Sequence, residues 1–300
     1  MKQLFTCIAL FLAVGIVSAQ TDWQKEELRG KVKELSEKRK KSMKDVPPNE
    51  WPIAQDKTLF FNAQGHKIEL NDLNYEKNNV NHIAYEYDDN AKLVLEKNLS
   101  SYGGPRVEKV YAYDKKNNLI AELEYDLFGE PREGTVYTYD KKSNLTKIES
   151  ENTGYGISEK TYKYNSKNQI IEESRASWVG RYHFTFEYDN KGNITTENEY
   201  SSDQIRSNVK YQYVDNGKIG EEITFTYKDG KNPKKTQYKI YKYDAMNNLI
   251  EYSYESDVLT TPFITTYKYE YDTLKNWIKR EKYENKNLKE IIERKIVYFE

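Results

Sequence analysis

His66, His82 and His183 are the three histidines of a 300-residue chain, and none stands in a spacing such as His-Glu-x-x-His that could close on a metal. Zinc ligation and a histidine-activated nucleophile both need grouped partners, so no metal and no other cofactor is expected. Carboxylates are the next candidates. Glu172-Glu173 and Glu221-Glu222 are adjacent acidic pairs, and glycoside hydrolysis runs on two carboxyl groups in different protonation states. With 48 acidic residues in the chain, such pairs are equally expected on solvated strands, and no catalytic residue is assigned. Asp189 to Asn193, "DNKGN", is oxygen-rich, but Lys191 occupies a place where a calcium loop wants a ligand oxygen. Asn98-Leu99-Ser100, Asn144-Leu145-Thr146 and Asn193-Ile194-Thr195 match glycosylation sequons. Aromatic rings are the one plentiful recognition chemistry: 28 Tyr, 10 Phe and 4 Trp. Exposed rings stack on sugars or grip a partner chain, and Trp178 and Trp277 are the candidate stacking residues.

The elements that carry these rings repeat. A Tyr-Asp or related dipeptide recurs at residues 88, 114, 140, 165, 189, 214, 244 and 272, with an earlier degenerate copy in Phe60 to Leu70. Ahead of each marker the pattern has period two, the mark of a strand with one buried face. In "YHFTFEY", Tyr182, Phe184, Phe186 and Tyr188 fall on one side and His183, Thr185 and Glu187 on the other. Behind the marker, Leu119, Leu123 and Tyr125 read as one face of a return strand. The marker Asp is suited to accept backbone N–H groups two residues on, and Asn118, Asn144, Asn193, Asn248 and Asn276 suit the left-handed residue of a tight loop. Each unit reads as a β-hairpin. A second family of turn signals lies between units, including Gly103-Gly104-Pro105, Gly129 with Pro131, Gly154 and Gly156, Gly180, Gly230 with Pro233, and Pro262.

Evenly spaced turns with no helical insert predict an all-β, up-and-down antiparallel meander over residues 58–300. Roughly 18 strands at about 4.8 Å each make a sheet too wide to stay open and flat, so a long curved or spiralling sheet is expected, with wrapping onto itself to make the aromatic face an interior left open. Residues 20–57 read as an N-terminal helix and linker. Thr21 and Gln24 form a capping-box pattern, Leu28, Val32 and Leu35 a helical stripe, and Pro47-Pro48 a stop. Residues 1–19, with Lys2, an apolar run from Leu4 to Val17 and Val17-Ser18-Ala19, read as a secretory signal cleaved before Gln20. Cys7 lies in that leader, so no disulfide is expected beyond it. Taking Lys2 from 47 basic residues leaves 46 against 48 acidic, which argues against nucleic acid or an anionic membrane as partner. A mean hydropathy of -0.97 and 32% charged residues would suit disorder were it not for the tyrosines.

The Tyr-x-Tyr-Asp-x-x-x-Asn-Leu units resemble the YD-repeat, or Rhs-like, class of bacterial surface and secreted proteins. The match is carried by Tyr113-Asp114 with Asn118-Leu119, Tyr139-Asp140 with Asn144-Leu145, and Tyr188-Asp189 with Asn193-Ile194. Tyr243-Asp244 with Asn248-Leu249 and Tyr271-Asp272 with Asn276-Trp277 complete it. The resemblance implies a hollow spiralling β-shell and, for short arrays, carbohydrate or surface binding. This chain has few repeats and no toxin or sorting domain after Tyr298, so a toxin-enclosing shell is not expected. The combined reading is an exported, non-enzymatic module, secreted, periplasmic or at the cell surface, with no membrane span once the leader is removed. Its partner would be a polysaccharide or a protein. A secreted glycan hydrolase with a carboxylate pair, or a scaffold or shell fragment, is the alternative.

Overall fold

The computed structural model describes residues 21–99, 108–126, 128–152, 156–178, 180–228 and 230–300. The expected signal and cleavage point, Cys7, Gly103-Gly104-Pro105 and Gly154 lie outside the described residues.

A four-residue helix, α1 (Asp22–Lys25), precedes twenty strands. They are β1 (Val32–Lys41), β2 (Ile53–Phe61), β3 (Lys67–Asn74), β4 (Asn79–Tyr87), β5 (Leu93–Asn98), β6 (Glu108–Tyr113), β7 (Leu119–Tyr125), β8 (Pro131–Tyr139), β9 (Leu145–Asn152) and β10 (Gly156–Tyr164). The second half comprises β11 (Ile170–Ser177), β12 (Gly180–Tyr188), β13 (Ile194–Ser201), β14 (Gln204–Tyr213), β15 (Ile219–Lys228), β16 (Lys231–Tyr243), β17 (Leu249–Ser256), β18 (Phe263–Tyr271), β19 (Trp277–Glu284) and β20 (Asn287–Tyr298). Each strand pairs antiparallel with its neighbour in sequence, and β20 pairs antiparallel with β1 from Val32↔Tyr298 to Lys41↔Glu290. The sheet is therefore an all-β meander as expected, but it closes into a barrel rather than spiralling.

Closure corrects the YD-repeat, Rhs-like reading and the repeat-protein description attached to it. A spiral shell leaves two sheet edges, whereas here both edge strands satisfy each other and no edge remains among the described strands. Two further corrections share one cause, the β-bulge. The segment 20–57, expected as helix and linker, supplies β1 and most of β2. Val32 and Leu35 mimic helical spacing because β1 changes register against β20 between Val32 and Glu34, which puts these residues, three apart, on one face, and Leu28 joins them from the segment before β1. Likewise β6 and β7 shift register at Tyr113↔Leu119, so Tyr113 and Leu119 share a face while Leu123 and Tyr125 have flipped to the other.

The hairpin turns explain the spacing of the sequence units. Asp114 Oδ1 accepts Lys116 N–H at 2.8 Å and Asn118 N–H at 2.9 Å, and Asn118 Nδ2 donates to Asp114 Oδ2 at 2.9 Å. Asp140 with Asn144 and Asp189 with Asn193 repeat this arrangement. Asp244 with Asn248 and Asp272 with Asn276 keep its backbone bonds. The left-handed residue is not the Asn of the motif, as the sequence suggested, but the one before it: Asn117, Ser143, Gly192, Asn247 and Lys275 have φ between 65° and 90°. In the first four units the motif Asn instead supplies the side chain that holds the aspartate, whereas Asn276 turns its amide to Arg29 and Tyr298.

Few of the described side chains are fully buried, as a closed single-layer wall dictates. Its apolar core is a small cluster of Leu28, Val32, Leu35, Leu59 and Phe61 beside the seam. Register places Ile296, Leu35, Leu59, Leu70 and Ile83 in one row across five strands.

Candidate functional site

Alternation and register divide the wall into two faces, and residues 21–31 show which one is inside. Asp22 Oδ2 accepts Lys67 N–H at 2.7 Å and the Tyr87 hydroxyl at 3.2 Å on β4, while Arg29 and Asn276, in the β18–β19 turn, exchange two hydrogen bonds of 2.7 and 2.9 Å. Residues 22–29 run as a strap over the seam strands at one mouth: Trp23 packs on Phe61 of β2, and Leu28 joins Val32, Leu35 and Leu59. The face they cover, bearing Phe61 and Tyr87, holds the buried apolar cluster and is the inner face of the closed wall, the lumen.

Trp23 anchors the strap. Its ring packs against Phe61 at 6.5 Å, its indole N–H donates to Val32 O at 2.7 Å, and it sits on Gly65, where an added Cβ would lie 2.5 Å from the ring at φ +87°. Gly65→Ala is expected to expel the indole and cost about 2 kcal/mol. Trp fluorescence and thermal melting check this, and an unmoved emission maximum would refute the anchoring role. Asp22 is held below the ordinary carboxylate range. Burial pushes it up, but the Lys67 N–H and the Lys25 ammonium outweigh that push.

Two rings of tyrosine line the lumen. The Tyr that precedes each turn reaches back one hairpin to a main-chain carbonyl: Tyr113 to Leu93 O at 2.9 Å, Tyr139 to Leu119 O at 2.8 Å, Tyr188 to Ile170 O at 2.6 Å, and Tyr243 to Ile219 O at 2.9 Å. At β18 this duty passes to Tyr269, while Tyr271 donates to Asp244 Oδ2. The second ring meets carboxylates: Tyr111 to Glu96 at 2.8 Å, Tyr137 to Glu122 at 2.6 Å, Tyr211 to Glu197 at 3.3 Å and Tyr241 to Glu222 at 3.2 Å. Burial, then the neighbouring carboxylates, push Tyr111 and Tyr137 up, and burial carries Tyr162 to about 12. These hydroxyls stay protonated donors near neutral pH. Glu197 alone among the carboxyls with a resolved shift is raised, by burial and by Glu173 and Glu199, with Tyr211 and Arg175 opposing.

The seam wall differs in charge. Arg39 on β1 and Arg280 on β19 both pair with Ile292 of β20, and in the next row Lys41 and Lys282 both pair with Glu290. Arg294 donates its Nε–H to Glu37 at 2.9 Å and stacks 3.3 Å over Trp277, with Arg280 at 5.4 Å from the same ring. Burial pulls Arg294 below the usual guanidinium range, and Glu37 opposes that pull.

The two candidate stacking residues are thus separated. Trp277 lines the lumen but is already covered by Arg294. Trp178 stands 72% exposed beyond the end of β11. The repeat-defining tyrosines, aspartates and asparagines gather at the strap-side mouth as wall and turns, where they build the barrel. Of the histidines, His82 meets Glu69 at 3.0 Å and His183 meets Ser174 at 3.2 Å. Among the described residues no three His, Cys, Asp or Glu side chains are grouped to hold a metal. The arginine pair at the seam escaped sequence reasoning because β1 and β19 lie at opposite ends of the chain.

The outer wall is charged. Glu86–Lys97 and Lys242–Glu251 pair at 2.7 Å, Lys40–Glu293 at 3.1 Å, Lys147 bridges Glu149 and Glu159 at 2.9 Å, and Lys279 bridges Glu270 and Glu281 at 3.0 Å. No helix among the described residues is long and apolar enough to cross a membrane.

No family model matches the chain, and no curated protein matches it. Among solved structures it is similar to a porin-like protein of Bacteroides uniformis ATCC 8492, with 11% identity, 89% of this chain and 98% of that one covered, and a TM-score of 0.38. A porin-like protein of Bacteroides vulgatus ATCC 8482 shows 12% identity over 77% of this chain and 97% of that one, with a TM-score of 0.27.

Proposed function

We propose that the chain is an exported, non-enzymatic surface barrel that binds a polar polymer, a polysaccharide, in its lumen. The observation that carries this reading is the lumen wall itself, a ring of tyrosines whose hydroxyls are oriented by glutamates. Aromatic planes beside fixed donors and acceptors match the alternating apolar and hydroxyl faces of a sugar ring. The barrel works in water rather than inside a bilayer. A lipid-facing wall carries an apolar band about 25 Å tall, and a Lys or Arg at its midplane costs about 2–4 kcal/mol; here repeated Lys–Glu pairs stand among the exposed apolar residues of the outer strands, Val110, Leu123 and Val136 among them.

The test is retention of the purified full chain on immobilised neutral and acidic polysaccharides, with release of reducing ends assayed in parallel. Retention without release is expected, and Tyr111→Phe with Tyr137→Phe should weaken it about tenfold. Steady release of reducing ends, abolished by Glu197→Gln, would replace binding with hydrolysis.

A further inference from the structure

Resting on that reading, we infer that Arg39 and Arg280, flanking Ile292 at the seam, form an anion subsite that selects a carboxylate-bearing glycan, one containing uronic acid. The two guanidinium groups come from strands on either side of β20 and both approach Glu290, at 3.7 and 3.6 Å. Both distances exceed a hydrogen bond. The Nε atoms of Arg39 and Arg280 are buried and have no hydrogen-bond partner, an uncommon state for a donor taken out of water.

Their neighbours are committed elsewhere. Lys41 holds Glu76 at 2.7 Å and Lys282 holds Glu284 at 2.7 Å, and Arg294 is spent on Glu37 and Trp277. Arg39 also reaches Glu76 at 3.2 Å through its other terminal nitrogen. Four cations, Lys41, Arg39, Arg280 and Lys282, thus face three carboxylates, Glu76, Glu284 and Glu290. The side chains of Arg39 and Arg280 keep 22% and 30% of their surface open. A planar carboxylate fits the guanidinium fork and can take donors that Glu290 leaves unfilled. Ile292 between the arginines offers an apolar floor for the ring that carries it.

The experiment separates the subsite from the general reading. Galacturonate is titrated into the full chain and followed by tryptophan fluorescence, with Trp277 adjoining the site; glucose is the neutral control. Saturable quenching by galacturonate alone is expected, with affinity falling about tenfold or more in Arg280→Gln and in Arg39→Gln, and less in Arg280→Lys. Far-UV circular dichroism confirms folding of each variant, and where Arg280→Gln does not fold, Arg39→Gln carries the test. Absence of saturable quenching, or quenching that neither substitution weakens, overturns the subsite even if neutral polysaccharide is still retained. Equal binding of galacturonate and inorganic sulfate would reduce the site to unselective charge and overturn the carboxylate assignment. Loss of neutral polymer binding alone, with galacturonate binding intact, would instead count against the broader reading.

Discussion

Leu35→Ala is expected to lower the free energy of unfolding by about 3–4 kcal/mol. Leu35 is 0% exposed and sits at the seam in the apolar row that crosses it, between Ile296 and Leu59. Deleting its isobutyl group removes buried area and leaves a cavity in a cluster with few neighbours available to collapse into it. Leu123→Ala, on the outer wall where 37% of the residue is open to water, should cost less than about 1 kcal/mol. Urea denaturation followed by circular dichroism gives both values. Equal costs would show that the seam cluster is not the main apolar contributor to stability.

Acid should unfold the barrel through its turns. The carboxyl groups of Asp114, Asp140 and Asp189 are held low by the facing Asn side chain and the backbone N–H groups, and Asp88 chiefly by the Lys92 N–H. Asp244 is lowered too, its burial outweighed by Tyr271 and Asn248. The folded values lie below the unfolded one, so the unfolded chain takes up protons first. The stabilisation is complete above the ordinary aspartate pKa of about 3.9 and is lost as pH falls through the depressed folded values. Melting temperature should therefore be flat towards neutrality and fall steeply below about pH 4. The chain supplies its own control, because Asn165 occupies the same turn position with a neutral amide. Its Oδ1 accepts Lys167 N–H at 2.9 Å and Gln169 N–H at 3.0 Å, and its Nδ2 donates to Gln169 at 2.8 Å. Installing that pair as Asp140→Asn with Asn144→Gln should reduce the acid-side slope. An unchanged slope would exclude the turn as an acid-sensitive element.

Local features were legible in the sequence. Period two placed Tyr182, Phe184, Phe186 and Tyr188 on one face, and the Asp-to-Asn interval marked the turns. A bulge changes parity without changing composition, so Leu123 and Tyr125 could not be placed beyond Leu119, and Val32 with Leu35 looked helical. Closure was illegible for another reason. Pairing of Arg39 and Arg280 with opposite sides of Ile292 is set by the meeting of β1 and β20, and no local periodicity encodes that meeting. Trp277 stood out in the sequence as a candidate stacking residue, but the arginine that covers it arrives on β20.

The β20–β1 seam also dictates when the molecule can finish folding. Every other pairing joins strands adjacent in the chain and can form by short loop closure, whereas this one must wait for the last twelve-residue strand, Asn287–Tyr298, and then close the whole chain as one loop. Until it does, Val32–Lys41 and Asn287–Tyr298 each present one open edge, able to recruit the other's copy from a neighbouring chain. Assembly is therefore a competition between an intramolecular ring and an intermolecular ladder, decided by protein concentration during the interval before the final strand docks.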